Sequence, residues 1–214
     1  MKKENRKYFC TAFCFLATFV VWTILVSLID LKAIGPQESY VGFAHLNKAF
    51  HSLTGVNMFL YTLTDWLSLI PLICILGFAL LGLIQWIKRK HLFKIDFSIL
   101  ILGGFYFVTL FLFVFFEVFV INYRPILIEG VLEASYPSST TLLVMCVMPT
   151  SLMQLKHRIK NVKLKRCVCL CISIYTLFMV VCRLVSGVHW LTDIIGGALL
   201  STGLVLTYYS LTKE

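Results

Sequence analysis

Uncharged stretches of about twenty residues recur along the whole chain, and no other feature limits its fold as much. Tyr8 to Ile29 carries no charge, and neither do Trp66 to Ile87 or Ala134 to Leu155. Phe97 to Phe116, continuing to Ile121, Cys167 to Cys182 and Ile194 to Thr212 are similar. At about 1.5 Å of rise per residue, each run can cross ~30 Å of hydrocarbon as a helix, or most of it. The expected fold is therefore an all-α membrane protein, a six-transmembrane-helix bundle forming one integral-membrane domain over residues 1–214. Its spans are expected near 8–30, 66–88, 97–121, 137–155, 167–187 and 190–211. With 59% hydrophobic and only 14% charged residues, the chain is neither disordered nor an ordinary soluble globule.

The net charge of +9 invites a nucleic-acid reading, but the placement of the charges argues against it. Fifteen of the 19 lysines and arginines fall at the N-terminus (Lys2 to Lys7), in the second-to-third and fourth-to-fifth loops, and at Lys213. Six spans put all of these on one side, which the positive-inside rule makes cytoplasmic. The basic excess is then a topology signal, with both termini cytoplasmic in a multi-pass cell membrane. Met1 to Lys7 starts like a signal peptide, but the apolar run after it is too long and no small-residue cleavage site follows, so a retained anchor is expected. The longest outer connection, Ile34 to Met58, could hold an interfacial helix over Val41 to Leu53. The eight cysteines lie in or at spans, where they act as small apolar residues. Residues two apart in Cys167-Val-Cys-Leu-Cys171 do not share a helix face, so no tetrahedral metal site is built there.

The informative residues are polar ones at outer span ends, where ionisable groups are costly and usually functional. Asn122-Tyr-Arg-Pro125 follows the third span and Tyr136-Pro-Ser-Ser-Thr-Thr141 opens the fourth. Cys182-Arg183 closes the fifth and His189-Trp-Leu-Thr-Asp193 opens the sixth. The topology puts all four at one membrane face. Arg124 and Arg183 are permanently cationic forks suited to phosphate oxygens, or else snorkel to headgroups. Ser138, Ser139 and Thr140 offer hydroxyls and free N–H groups at a helix N-terminus, suited to an anion or to plain capping, with Pro137 in the first turn. His189 and Asp193 are four apart on one helix face. The carboxylate can accept from one ring nitrogen and leave the other free to attack, or the two can form a structural pair.

With these pieces in place, the chain resembles the membrane-bound type 2 phosphatidic acid phosphatase (PAP2) family. That family's motifs run Lys-(x)6-Arg-Pro, Pro-Ser-Gly-His and Ser-Arg-(x)5-His-(x)3-Asp. Here they read Glu117-(x)6-Arg124-Pro125, Pro137-Ser-Ser-Thr140 and Cys182-Arg183-(x)5-His189-(x)3-Asp193. The resemblance implies a phosphatase that needs no metal or other cofactor and acts on membrane lipids bearing phosphate or diphosphate. His189 would form a phosphohistidine, Asp193 would orient it, and Arg124 and Arg183 would hold the phosphoryl group.

Three of the departures bear on the chemistry. Thr140 stands where the family has its general-acid His, and threonine cannot do that work near neutral pH. Glu129, Glu133, Tyr136 or a histidine of the first outer loop (His45 or His51) could stand in as the acid. Glu117 replaces a lysine two helical turns before Arg124, so an ion pair competing with substrate is expected, or a protonated Glu117 that donates a hydrogen bond. Cys182 replaces Ser, the mildest change. The alternatives are a phosphotransferase, a catalytically weak relative that binds or moves phosphorylated lipids, and an unrelated small transporter. Gly103-Gly104 and Gly196-Gly197 are expected to allow close helix approach, Pro149 to kink the fourth span, and Trp190 to anchor at the interface or touch lipid.

Overall fold

The computed structural model describes residues 3–213, so Met1 and Lys2 of the N-terminal basic run lie outside the described residues. The chain is helical almost throughout. α1 (Lys3–Leu28) leads to a small hairpin of β1 (Lys32–Ala33) and β2 (Tyr40–Val41). α2 (Ala44–Thr54), α3 (Met58–Leu67), α4 (Leu69–Arg89) and α5 (Phe97–Val118) follow. An irregular segment then precedes α6 (Ser139–Arg158), α7 (Val162–Val185) and α8 (Leu191–Thr212).

Among the described residues, five stretches are long and apolar enough to cross a membrane: Glu4–Leu28, Met58–Arg89, Phe97–Val118, Val162–Val185 and Leu191–Thr212. The second starts eight residues earlier than the sequence suggests, because α3 joins α4 through Ser68 alone, whose hydroxyl donates to the Asp65 carbonyl. α5 stops at Val118, short of the expected 121. The expected fourth span is α6, which has the length but not the apolarity. Its Thr140, Thr141, Thr150, Ser151 and Gln154 are buried along with its aliphatic side chains. A helix enclosed by its neighbours has no need of a lipid-compatible surface.

The basic segments share one end of the bundle. Lys213 Nζ lies 2.6 Å from Glu4 Oε1, which joins α1 to the end of α8. Gln154 donates to the Tyr208 hydroxyl at 2.5 Å, and Arg158 and Arg89 both reach Asp96, at 3.6 and 3.0 Å. The hydrogen bonds from Gln85 and Arg89 and the nearby arginine charges outweigh its partial burial and hold Asp96 below the usual carboxylate range. The four outer segments singled out by sequence lie at the other end. α2 also lies there, overlapping the interfacial helix expected at 41–53, with Leu46 and Leu53 exposed on it.

Three apolar clusters of the described residues hold the helices together, the smallest being Val144, Met148 and Met179 between α6 and α7. Phe19, Val26, Tyr136, Leu142, Cys146 and Leu200 pack between α1, α6 and α8. Ile99, Leu102, Tyr106, Leu143, Val147 and Tyr208 pack between α5, α6 and α8. Pro149 sits inside α6, and the neighbouring Thr150 hydroxyl donates to the Cys146 carbonyl at 2.7 Å. α8 approaches the start of α6 closely because of Gly196: a Cβ there would lie 2.6 Å from the Tyr136 ring. Gly103 and Gly104, expected to serve the same purpose, have nothing within 4 Å of their would-be Cβ positions and mediate no such approach.

Gly196→Val is therefore expected to lower stability by about 1–3 kcal/mol through overpacking. Gly103→Ala, on an open helix face, should be neutral or stabilising by up to ~1 kcal/mol. Thermal unfolding of the two variants in the same detergent checks the contrast.

Candidate active site

The segment between α5 and α6 is shaped by a tight turn. Glu129 and Gly130 adopt positive φ values of 50° and 80°, which reverses the chain and pairs Ile128 with Val131 and Tyr123 with Ala134. The Arg124 amide donates to Glu133 O at 3.0 Å, and the Ser135 amide to Asn122 O at 2.9 Å. This ribbon carries Asn122, Arg124, Glu133 and Ser135. The α7–α8 turn lies opposite. Gly187 has φ of 67°, and a Cβ on it would fall 1.8 Å from the Gly55 carbonyl oxygen, so only glycine fits. His51 Nε2 lies 3.1 Å from the Gly187 carbonyl, and the Asn57 amide donates to Ser186 O. Buried Asn47 donates to Thr192 Oγ1 at 2.9 Å and fixes the first turn of α8.

Between these segments lies a buried chain of polar groups. Ser135 Oγ donates to Asp193 Oδ2 at 2.5 Å and lies 3.0 Å from His189 Nδ1. His189 Nδ1 and Asp193 Oδ2 are 3.9 Å apart, so the direct contact expected from their four-residue spacing is replaced by a serine bridge. A hydroxyl has one proton, and here it goes to the carboxylate. Nδ1 of His189 must then carry the hydrogen that Ser135 accepts, and Nε2 keeps its lone pair. Asp193 also accepts from the Trp190 amide at 3.0 Å and from Asn122 Nδ2 at 3.3 Å. Burial, reinforced by the charges of Arg124 and Arg183, holds His189 well below its ordinary value of 6.5, so the imidazole is neutral at neutral pH.

The two arginines meet at one ring. The guanidinium carbons of Arg183 and Arg124 lie 4.7 and 5.6 Å from the Tyr61 centroid. Arg183 is 2% exposed, donates to Thr64 Oγ1 at 3.3 Å and faces Asp65 at 3.9 Å. Arg124 Nε pairs with Glu133 Oε2 at 3.1 Å. Arg124 Nη1, Arg183 Nε and His189 Nε2 are buried without a hydrogen-bond partner among the described residues. Two cationic donors and one lone pair are thus desolvated and unused, which suits a tetrahedral oxyanion attacked by nitrogen.

A sequence model described as the PAP2 superfamily matches residues 100–214, just over half of the chain. The chain belongs to the PAP2 superfamily. Among solved structures, a transmembrane PAP2-type phosphatidylglycerolphosphate phosphatase from Bacillus subtilis is similar over 94% of this chain and 94% of its own. The TM-score is 0.57 and the identity 18%, so that likeness is one of fold. No curated protein matches the sequence.

Within this PAP2 fold the other sequence candidates separate. The Ser138 hydroxyl accepts from the Thr141 amide as the α6 N-cap, and its own amide donates to Asp193 O, so Ser138 is spent on the helix start. Pro137 consequently precedes the cap and is not in the first turn. Thr140 is buried, and Ser139 lines a small cleft with Glu117, Ser135 and Pro137. The carboxylate on Arg124 is that of Glu133, and the expected Glu117–Arg124 pair is not formed. Arg124 lies beyond the end of α5, so helical spacing does not relate the two. Among the expected stand-in acids, Tyr136 is tied to Thr23 at 2.7 Å and its burial pushes the phenol up. Glu129 sits exposed at the ribbon tip. His45 is exposed and bound to Asp30 and Lys32. Trp190 is buried and donates to Tyr123 O at 2.8 Å, so it fastens the ribbon and anchors to no interface.

Sequence reasoning missed Ser135, Tyr61 and Asn47. Tyr61, Thr64 and Asp65 share a helix face by their three- and four-residue spacing, just ahead of an apolar run, and that polar stripe was the available signal.

Burial of a neutral His189 ring couples the protein's stability to pH. Above 6.5 the ring is neutral in both folded and unfolded chains and its full contribution to stability is present. As pH falls below 6.5 the unfolded chain takes up the proton first, and stability drops toward the folded value. Melting temperature in detergent should therefore fall on acidification below about 6.5, the ordinary imidazole range, and fall less in His189→Gln.

Proposed function

We propose that this protein is a membrane lipid phosphatase that cleaves lipid diphosphate or phosphate esters through a phosphohistidine on His189. The observation that carries the reading is the set of three buried, unpartnered atoms: Arg124 Nη1, Arg183 Nε and His189 Nε2. Family membership and the phosphatase named among similar folds point the same way. Nε2 attacks phosphorus as the bond to the leaving oxygen breaks. The positive charge that develops on the ring is stabilised by the Asp193 carboxylate through the Ser135 hydroxyl, which accepts from Nδ1–H and donates to Asp193. Arg124 and Arg183 bind the non-bridging oxygens. Water then attacks phosphorus as the Nε2–P bond breaks; the electron pair returns to Nε2, the water's protons leave with the phosphate or to solvent, and the ring is neutral again. The site is assigned to the extracytoplasmic side on the positive-inside rule, since the basic loops and the α1 start and α8 end, joined by Glu4 and Lys213, gather at the opposite end of the bundle.

Thr140 leaves the leaving group without an imidazole acid, and a positioned acid is worth roughly 10²–10⁴ in rate. An alkoxide needs that proton, whereas a phosphoryl-ester anion departs without it. The preferred substrate is therefore a lipid diphosphate. Glu117, on the cleft beside Ser135 and Ser139, and Glu133, on Arg124, modulate phosphate affinity. Purified protein is expected to turn over a lipid diphosphate at least ~10²-fold faster than the matching monophosphate. Equal or faster turnover of the monoester would refute the preference.

Substrate labelled at its terminal phosphoryl group should leave alkali-stable label on His189 in the wild type and none in His189→Ala. Binding of labelled lipid diphosphate with neither turnover nor label would instead mark a protein that binds phosphorylated lipid without cleaving it. Glu117→Lys should tighten inhibition by inorganic phosphate; unchanged inhibition would show that the side chain faces away from the pocket.

A further inference from the structure

An apolar groove between the outer halves of α1 and α5 has no role in the site described above. Phe19, Val20 and Ile24 form one wall, and Phe115, Phe116 and Phe119 the other. Val20, Ile24 and Phe119 are 54%, 51% and 60% exposed, so the groove opens sideways from two helices long and apolar enough to span a membrane. Its inner wall is fixed to the site. Phe19 stacks on Tyr136 at 6.3 Å, Phe116 meets the same ring edge-on, and Thr23 binds the Tyr136 hydroxyl. Phe116 also lines the small cleft that holds Glu117, Ser135 and Ser139. Ser135 in turn touches His189. Polarity therefore changes in order along one path, from an aliphatic and aromatic groove, through carboxylate and hydroxyls, to the cationic pocket. The change falls between adjacent residues, Phe116 and Glu117.

That order matches an amphiphile laid lengthwise. We propose that the α1–α5 groove holds the aliphatic chain of a phosphorylated lipid whose headgroup lies at Arg124, Arg183 and His189, so that the lipid reaches the pocket sideways from the bilayer. The proposal rests on the phosphatase reading and adds where the tail lies and which residues select its length. The other large apolar groove, between α4 and α5 at Phe78, Ile99 and Gly103, is lined by no residue of the site and does not lead to it.

The test uses the full-length protein in detergent micelles with two substrates of one headgroup, hexadecyl diphosphate and butyl diphosphate. Val20→Trp and Ile24→Trp fill the groove from the lipid side. They should lower kcat/KM for the hexadecyl compound at least about tenfold and leave the butyl compound within about twofold. Parallel loss on both compounds, or on neither, overturns the proposal; retained butyl turnover shows that the variants fold. A second measurement does not depend on turnover. Hexadecyl diphosphate with a diazirine at its tail end, photolysed on the wild type, should label α1 and α5, and inorganic pyrophosphate should displace that label. Label elsewhere, or label that pyrophosphate does not displace, overturns the groove assignment. Displaceable label without hydrolysis of either compound supports the groove while the phosphatase reading fails.

Discussion

A carboxylate with no access to solvent sits where three segments of the chain meet. Burying an ionised carboxylate costs several kcal/mol unless its oxygens are satisfied. Asp193 is satisfied by the Ser135 hydroxyl, the Trp190 amide and the Asn122 side chain. The donors come from the ribbon after α5 and from the turn before α8. Trp190 and Asp193 fasten the ribbon to the start of α8, and Arg124 rides on that ribbon. The position of the first arginine thus depends on the same buried group that orients the histidine through Ser135.

The second constraint is the repulsion of two buried guanidinium groups. Each is offset differently. Arg124 has the Glu133 carboxylate, while Arg183 has a hydroxyl, a more distant carboxylate and the face of Tyr61. Neither set uses every donor, which leaves the pocket positive and hungry for an anion. That same field, added to burial, keeps His189 uncharged. A protonated ring has no lone pair at Nε2, so under the proposed mechanism the arginines keep His189 ready to attack before a substrate arrives.

Much of this was readable from the chain. Long apolar runs place helices because hydrocarbon length is fixed, and the four polar outer segments marked the end of the bundle where the pocket lies. What escaped was set by contacts between distant segments. Ser135 is one of several hydroxyls in a row, and nothing local says that its proton goes to a residue 58 positions away. Glu133 took the place expected of Glu117 because α5 ends at Val118, and boundaries of apolar helices are poorly encoded when phenylalanine continues past the last turn. The polarity of α6 has the same origin. Its side chains answer to protein neighbours, so hydropathy alone overstates how it faces lipid.

That polarity bears on how the chain is made. A helix carrying two buried threonines in its first turn and Ser151 and Gln154 in its second half partitions weakly into lipid by itself. α5 before it and α7 after it partition well. Biogenesis of this protein is then not a string of independent insertions. Stable residence of α6 in the bilayer is therefore tied to the helices that flank it, α5 made before it and α7 after it.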